Sequence, residues 1–290
     1  MRNNVCRVRS VALLPGGENG QDAGMTKRSF VPSRKMSLIC GLLLFLDGPR
    51  LLMAEPTAAA VAAFNAYSKT VEARLAQQHR SAREFLASAG PDTETRLRQG
   101  ELVIERVTPS ADGDWSGALL HHWRGTAFAP GAKAADFERL MRDFNAYPQH
   151  FAPQVEQAKA LSQDKVWMRV RQKHVITVVM DTTYEVSFGQ LDVQHGYSIS
   201  KSTRIEEIGS PGSRDEHALS GRDEHGFLWR LNTYWSYEER DGGLYLQIEA
   251  VSLTRAIPHG LGWAIAPYVE SIPRESLEFT LRSACNAIRR

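Results

Sequence analysis

The last twenty residues read SIPRESLEFTLRSACNAIRR (271–290). Leu277, Leu281, Ala284, Cys285 and Ile288 recur at i, i+4, i+7, i+8 and i+11, which makes one apolar stripe on a helix. Pro273 suits the first turn, where its missing N–H leaves nothing unpaired. Arg282, Arg289 and Arg290 lie off the stripe, and the last two suit the negative end of the helix dipole. One apolar stripe needs one apolar partner, and the preceding residues must supply it.

Those residues alternate with period two. From Asp164 onward, KVWMRVRQK, VITVVMDTTYEVSF, GYSISKSTRIEEI, GFLWRLNTYWSYEER and GLYLQIEAVSLTR are rich in β-branched and aromatic residues. Turn signals separate them, the strongest being Asp241-Gly242-Gly243. No helix interrupts the series, so the strands must pair mostly antiparallel. Upstream, ELVIERV (101–107), with Leu102 and Ile104 on one face, and ALLHHWRGTAFAP (118–130) read as a hairpin. In AADFERLMRDFNAYP, Phe137, Leu140, Met141 and Phe144 mark a helix, and QHFAPQVEQAKAL reads as a second short one after Pro148. Residues 57–88 lack Pro and Gly and carry Val61, Phe64, Val71, Leu75, Ala82 and Phe85 on one stripe, a long helix or two shorter ones. AGPDTETRLRQG then serves as a linker.

This order of elements resembles the polyketide cyclase/START-like (SRPBCC) superfamily and its helix-grip fold. Two places carry the likeness. In 136–161, Asp143, Phe144, Tyr147, Pro148, Phe151, Pro153 and Val155 match the run found in that family's helix pair, and 272–290 is similar to its gripping helix. The resemblance implies an α+β fold: a curved antiparallel sheet wrapped around a long C-terminal helix, here with an extra N-terminal helix. It implies binding of lipids, sterols, quinones or polyketides between sheet and helix. The superfamily shares no catalytic signature, so no catalytic residue carries over. The division expected is a leader (1–54), a helical segment and linker (55–97) and a START-like domain (98–290).

Composition sets bounds. The chain has 290 residues, 42% hydrophobic and 23% charged, with a formal net charge of +2. Those values suit a packed core, and no clustered basic face argues for nucleic acid. MTKRSFVPSRK is basic, MSLICGLLLFL apolar, and Ala54 small: the layout of a signal peptide cut after Ala54, giving a periplasmic or secreted protein. Met1, Met25 and Met36 are all candidate starts. Cys6 and Cys40 fall in the leader, which leaves Cys285 as a packed residue and no internal disulfide.

The expected function is an exported protein that holds a hydrophobic small molecule (lipid, quinone or polyketide-like) in a cavity between sheet and C-terminal helix. The alternatives are a cyclase- or hydrolase-type enzyme using the same cavity, and an envelope interaction protein docking through 57–88. The cavity candidates are Trp229, Leu231, Trp235, Leu246, Ile248, Trp263, Leu277 and Leu281, with Trp229, Leu231 and Trp235 placed on one strand face. The polar head-group candidates are Arg230, Asn232, Arg204 and Arg255; the competing reading pairs an arginine with Glu206 or Glu249 on a neighbouring strand. The apolar segment 256–273 is either a cavity mouth, with membrane contact through Trp263, Ile265 and Tyr268, or a buried connector. His121 and His122 are adjacent, so a strand points them to opposite faces, and the Asp-Glu-His triplets at 215–217 and 223–225 lie in a solvated loop. Tyr184 or His174 with Glu185 could form an acid/base pair, though nothing singles it out. Ser276 has no base partner. No metal or cofactor is assigned, and the oligomeric state stays open.

Overall fold

The computed structural model describes residues 55–87, 90–107, 115, 117–173, 177–256 and 262–289; at 91, 222 and 262–270 it describes the backbone alone. The expected leader and His174 lie outside these residues, as do the side chains of Trp263, Ile265 and Tyr268.

Helix α1 (Ala58–Gln78) starts at Thr57, whose hydroxyl oxygen accepts the Ala60 N–H at 3.0 Å. The stretch expected to be a linker contains α2 (Pro91–Arg98), opened by a proline in its first turn. Strands β1 (Val103–Arg106) and β2 (Ala118–Pro130) form the expected hairpin. Helix α3 (Ala134–Arg142), a 3-10 turn (Phe144–Ala146) and α4 (Tyr147–His150) follow. The second helix does not continue as expected. It stops at His150, and Val155–Ala160 is strand β3. A register shift between Val155 and Gln157 resets the alternation, so the apolar spacing there imitates a helix.

The remaining strands are β4 (Lys165–Lys173), β5 (Thr177–Gln190), β6 (His195–Gly209), the two-residue β7 (His217–Ala218), β8 (Arg230–Arg240) and β9 (Gly243–Arg255). They make one sheet in the order β1-β2-β9-β8-β6-β5-β4-β3, with β7 paired to β6, and every pairing is antiparallel. Helix α5 (Gly262–Ala287) closes the chain. It begins well before residue 271, so most of the presumed mouth or connector is helix, and Pro273 sits in its interior. A proline reads as a start signal in sequence; here the helix runs through it and forgoes one backbone bond.

Two adjacent residues of α5 show how the sheet curls. Leu277 meets Gly125 on β2, and Ser276 meets Gln172 on β4. These strands are five steps apart in the sheet, about 24 Å at ordinary strand spacing, whereas a helix is about 10 Å across. Both can reach consecutive helix residues only if the sheet wraps around α5. This is the helix-grip α+β arrangement. The concave face carries the main core, with Phe137, Leu140, Met141, Trp235, Leu246, Ile248, Leu277 and Leu281 buried together. The convex face is covered by α1, where Phe64, Val71 and Leu75 pack on Trp229, Tyr234, Val251 and Leu253.

Candidate functional site

The strand register arranges the concave face in rows. One row runs Phe188, Ser198, Trp235, Ile248, Gly125 across β5, β6, β8, β9 and β2. Beside it run Gly196, Tyr237, Leu246 and Ala127. On β6, β8, β9 and β2 these two rows are buried, while at their β5 end Phe188 is half-buried. Leu277 and Leu281 rest on Gly125, and Phe137 of α3 packs against Trp235 and Tyr237 at ring separations of 5.0 and 5.1 Å. Trp235, Leu246, Ile248, Leu277 and Leu281, five of the expected liners, therefore form solid core.

The next row differs in kind. It reads Val186, Ser200, Thr233, Ala250, Trp123, and the last four each keep part of their surface accessible. Beyond it lie Val166, Tyr184, Ser202, Leu231, Ser252 and His121. Leu231, the sixth expected liner, is half-buried there. The concave face thus passes from packed aromatic and aliphatic side chains to a surface of hydroxyls, Trp123 and Leu231. The helix meets the sheet at Gly125 on one side and at Gln172 on the other.

Polar groups on this surface are incompletely paired. Ser202 Oγ accepts the Leu231 N–H at 2.9 Å, and His121 Nε2 lies 3.1 Å from Thr254 Oγ1. Among the described residues, Trp123 Nε1 and Gln172 Oε1 are buried without a hydrogen-bond partner, and the Gln172 amide nitrogen reaches Ser276 Oγ only at 3.5 Å. Ser198, 1% exposed between Phe188 and Trp235, also leaves its hydroxyl unpaired. Buried polar groups ordinarily find partners, so these unpaired ones stand out.

The other expected site residues lie elsewhere. Trp229 precedes β8, so strand alternation does not extend to it; it packs under α1, not beside Leu231. Arg230 and Asn232 pair across β8 and β9 with Leu253 and Val251 of the α1 cluster, which puts both on the convex face. Asn232 Nδ2 donates to Ser68 Oγ and Tyr234 Oη, each at 3.3 Å, and Arg230 donates to the Trp229 carbonyl at 2.7 Å. Arg204 lies opposite Thr183 on the same convex side, exposed and bonded to Glu206 at 2.7 Å. Arg255 lies opposite Ala118 there too and reaches the His225 carbonyl at 3.5 Å. None of the four faces the concave rows.

Titratable chemistry concentrates instead beneath α1. Glu249, 1% exposed, accepts from His122 Nε2 at 2.8 Å, Arg124 Nε at 2.9 Å and Arg74 Nη2 at 2.5 Å. The Tyr67 hydroxyl bonds His122 Nδ1 at 2.7 Å. Burial pushes the Glu249 carboxyl up, but the His122 bond and the two guanidinium groups outweigh it and hold it at about 2. The two histidines take opposite faces as alternation requires: His121 the concave, His122 the convex. The Tyr184–Glu185 pair does not assemble, because Tyr184 faces the helix and Glu185 is exposed on the other side, and His174 lies outside the described residues. Burial lifts the Tyr184 hydroxyl to about 12, which removes it as a base at neutral pH. Among the described residues no cluster of metal-ligating side chains occurs. Two surface recesses measure about 290 Å³, beside Arg142 and Phe144, and about 590 Å³, beside Pro130 and Arg289.

No family model matches the chain, and no curated protein matches it. Among solved structures it is similar to a START superfamily protein from Mycobacterium smegmatis, at 12% identity over 59% of this chain and 97% of that one, with a TM-score of 0.38. It is similar to the Zhui aromatase/cyclase from Streptomyces sp. R1128, at 12% identity over 59% and 95%, with a TM-score of 0.42. A STAR-related lipid transfer protein fragment from Xanthomonas axonopodis is 16% identical over 64% and 99%, with a TM-score of 0.38. The helix-grip arrangement stands on the strand order and helix contacts described above.

Proposed function

We propose that this chain is an exported binding protein that holds a hydrophobic small molecule, lipid, quinone or polyketide-like, between the concave face and α5. One observation carries the reading. The row Ser200, Thr233, Ala250, Trp123 keeps accessible surface although it lies on the helix-facing side of the sheet, next to a row whose central members Ser198, Trp235, Ile248 and Gly125 are buried. A row left open in the grip of a helix is surface kept out of the core. Burying a ligand's methylenes there contributes roughly 0.8 kcal/mol each. Export is supported by the basic, apolar and small-residue order that ends at Ala54.

The test uses purified full-length chain. Native mass spectrometry should find a co-purifying species that organic solvent extracts, or uptake of an added apolar probe. A protein that carries nothing and takes up no probe would overturn the reading.

A further inference from the structure

The segment that leaves α1, His79 to Ala87, has no regular structure and lies on the convex side of the sheet. Arg80, Ala82, Arg83 and Glu84 are exposed, and Phe85 is its one fully buried ring. Few contacts hold it. His79 Nε2 lies 2.7 Å from Ser236 Oγ on β8, and the His79 ring stacks on Tyr197 of β6 at 4.3 Å. Gln247 of β9 accepts the Ala87 N–H at 2.9 Å and donates to the Ala87 carbonyl at 3.3 Å. A segment with so little buried surface opens at less cost than the sheet beneath it.

Phe85 touches two histidines, His79 at 4.7 Å and His195 at 5.1 Å between ring centres, and their surroundings differ. His195 Nδ1 lies 2.7 Å from Asp192 Oδ1, and its Nε2 lies 3.6 Å from Glu238 Oε1. A proton added there meets a carboxylate on either side. His79, 9% exposed, meets a hydroxyl and two rings, and among the described residues no carboxylate bonds it. Burial and the Arg74 guanidinium on α1 push it down from 6.5 to about 4, with Glu249 on β9 pulling the other way. On its own segment, Arg80 and Arg83 add positive charge, and Glu84 takes part through its backbone carbonyl, 3.5 Å from Gln78 Nε2. A cation at position 79 is therefore badly placed until the ring reaches water.

We propose that residues 79–87 form an acid-released latch: protonation of His79 drives its ring from its contacts with Phe85 and Tyr197, and the segment leaves β6 and β8 while the sheet stays folded. His79 is the trigger, and His195 keeps its seat between Asp192 and Glu238. Release uncovers Phe85, Tyr197 and Ser236 at one margin of the convex face. The released form takes up the proton near the ordinary 6.5, the latched form only at about 4. The ratio of released to latched chains is therefore flat above pH 6.5, rises about tenfold per pH unit below it, and levels off towards 4. The device does not depend on what the concave face binds.

The test is amide hydrogen exchange of the full-length chain at about pH 7 and about pH 4.5, read as protection factors so that the pH dependence of intrinsic exchange cancels. Protection over 79–87, where the Ala87 N–H reports its bond to Gln247 directly, should fall at least about tenfold in acid. In acid it should also ignore about 1 M urea, because a local opening exposes little surface, whereas protection along β9 should fall as urea is added. His79→Gln should abolish the acid response of the segment. His79→Phe, which keeps a ring beside Phe85 and Tyr197, should do the same and serves if the first variant is unstable. His195→Gln should leave most of the response in place. The latch is refuted if 79–87 keeps its neutral-pH protection in acid, or loses it only together with β9 and with the same urea dependence. It is refuted equally if the response survives the His79 variants, or if His195→Gln removes it.

Discussion

Leu281 of the closing helix rests so closely on Gly125 of β2 that a Cβ at position 125 would lie 2.6 Å from its Cδ1 and 3.0 Å from Leu277 Cδ2. The missing side chain is what allows the helix to descend onto the sheet. The next concave residue along β2 is Trp123, which packs against the same cluster. Gly125→Ala meets only the ends of two flexible leucines and should be mildly destabilising. Gly125→Val must lift the helix or eclipse both leucines, and overpacking of that kind costs about 1–3 kcal/mol. Urea unfolding should show this graded order, with Leu281→Ala partly relieving the valine variant. Equal stability for all three chains would mean the contact is not close in solution.

The pH dependence of stability should have two limbs with different owners. His79 is buried against Ser236, to which it bonds at 2.7 Å, and stacks on Tyr197 at 4.3 Å. Burial, aided by Arg74 and opposed by Glu249, pushes it from 6.5 to about 4. The folded state therefore favours neutral His79: its stability is full above pH 6.5 and falls as the pH drops towards 4. Glu249 is depressed from 4.5 to about 2, so its share is intact above pH 4.5 and is lost as the pH falls towards 2. His79→Gln should flatten the upper limb and keep the lower. Glu249→Gln should remove the lower limb and also cost about 3–5 kcal/mol at pH 7, because Arg74, Arg124 and His122 lose their common partner. Urea midpoints across the range decide both points; an unchanged upper limb in His79→Gln would assign that limb to another group.

The strands and the closing helix were legible because each repeats its period without interruption. Five alternating runs became β4, β5, β6, β8 and β9, and the stripe from Leu277 to Ile288 is the buried face of α5. The gripping arrangement followed, because an open sheet and one apolar stripe have few other ways to close. Less visible was anything that depends on a single-residue offset. Trp229 and Leu231 share a parity, yet β8 begins only at Arg230, and they finish on opposite faces. The β3 bulge hid a strand, and Pro273 hid the first half of a helix. Trp235, Leu246 and Ile248 have the hydrophobicity of liners, but hydrophobicity does not distinguish a wall from a core. The register places Ser200, Thr233, Ala250 and Trp123, all partly accessible, in the row beside them. Ser, Thr and Ala on a strand carry little signal alone.

The last prediction concerns α1. Its packed face, Phe64, Tyr67, Val71 and Leu75, covers Trp229, Tyr234, Val251 and Leu253 on the convex side. Tyr67 and Arg74 reach through that layer to His122 and Glu249, and Lys201 bonds Glu72 at 2.8 Å. Removing the helix would open an aromatic and aliphatic surface to water and leave a buried carboxylate with fewer partners. A detachable tether would show no such investment in the sheet. A chain beginning at residue 98 should therefore lose cooperative unfolding, expose hydrophobic surface to a reporter dye and aggregate. The point variants Phe64→Ala and Val71→Ala separate packing from length; the larger truncation should cost about 3–5 kcal/mol and the smaller one less. A truncated chain that still unfolds in one sharp transition, with ligand uptake intact, would show instead that α1 is an appendage available for docking elsewhere.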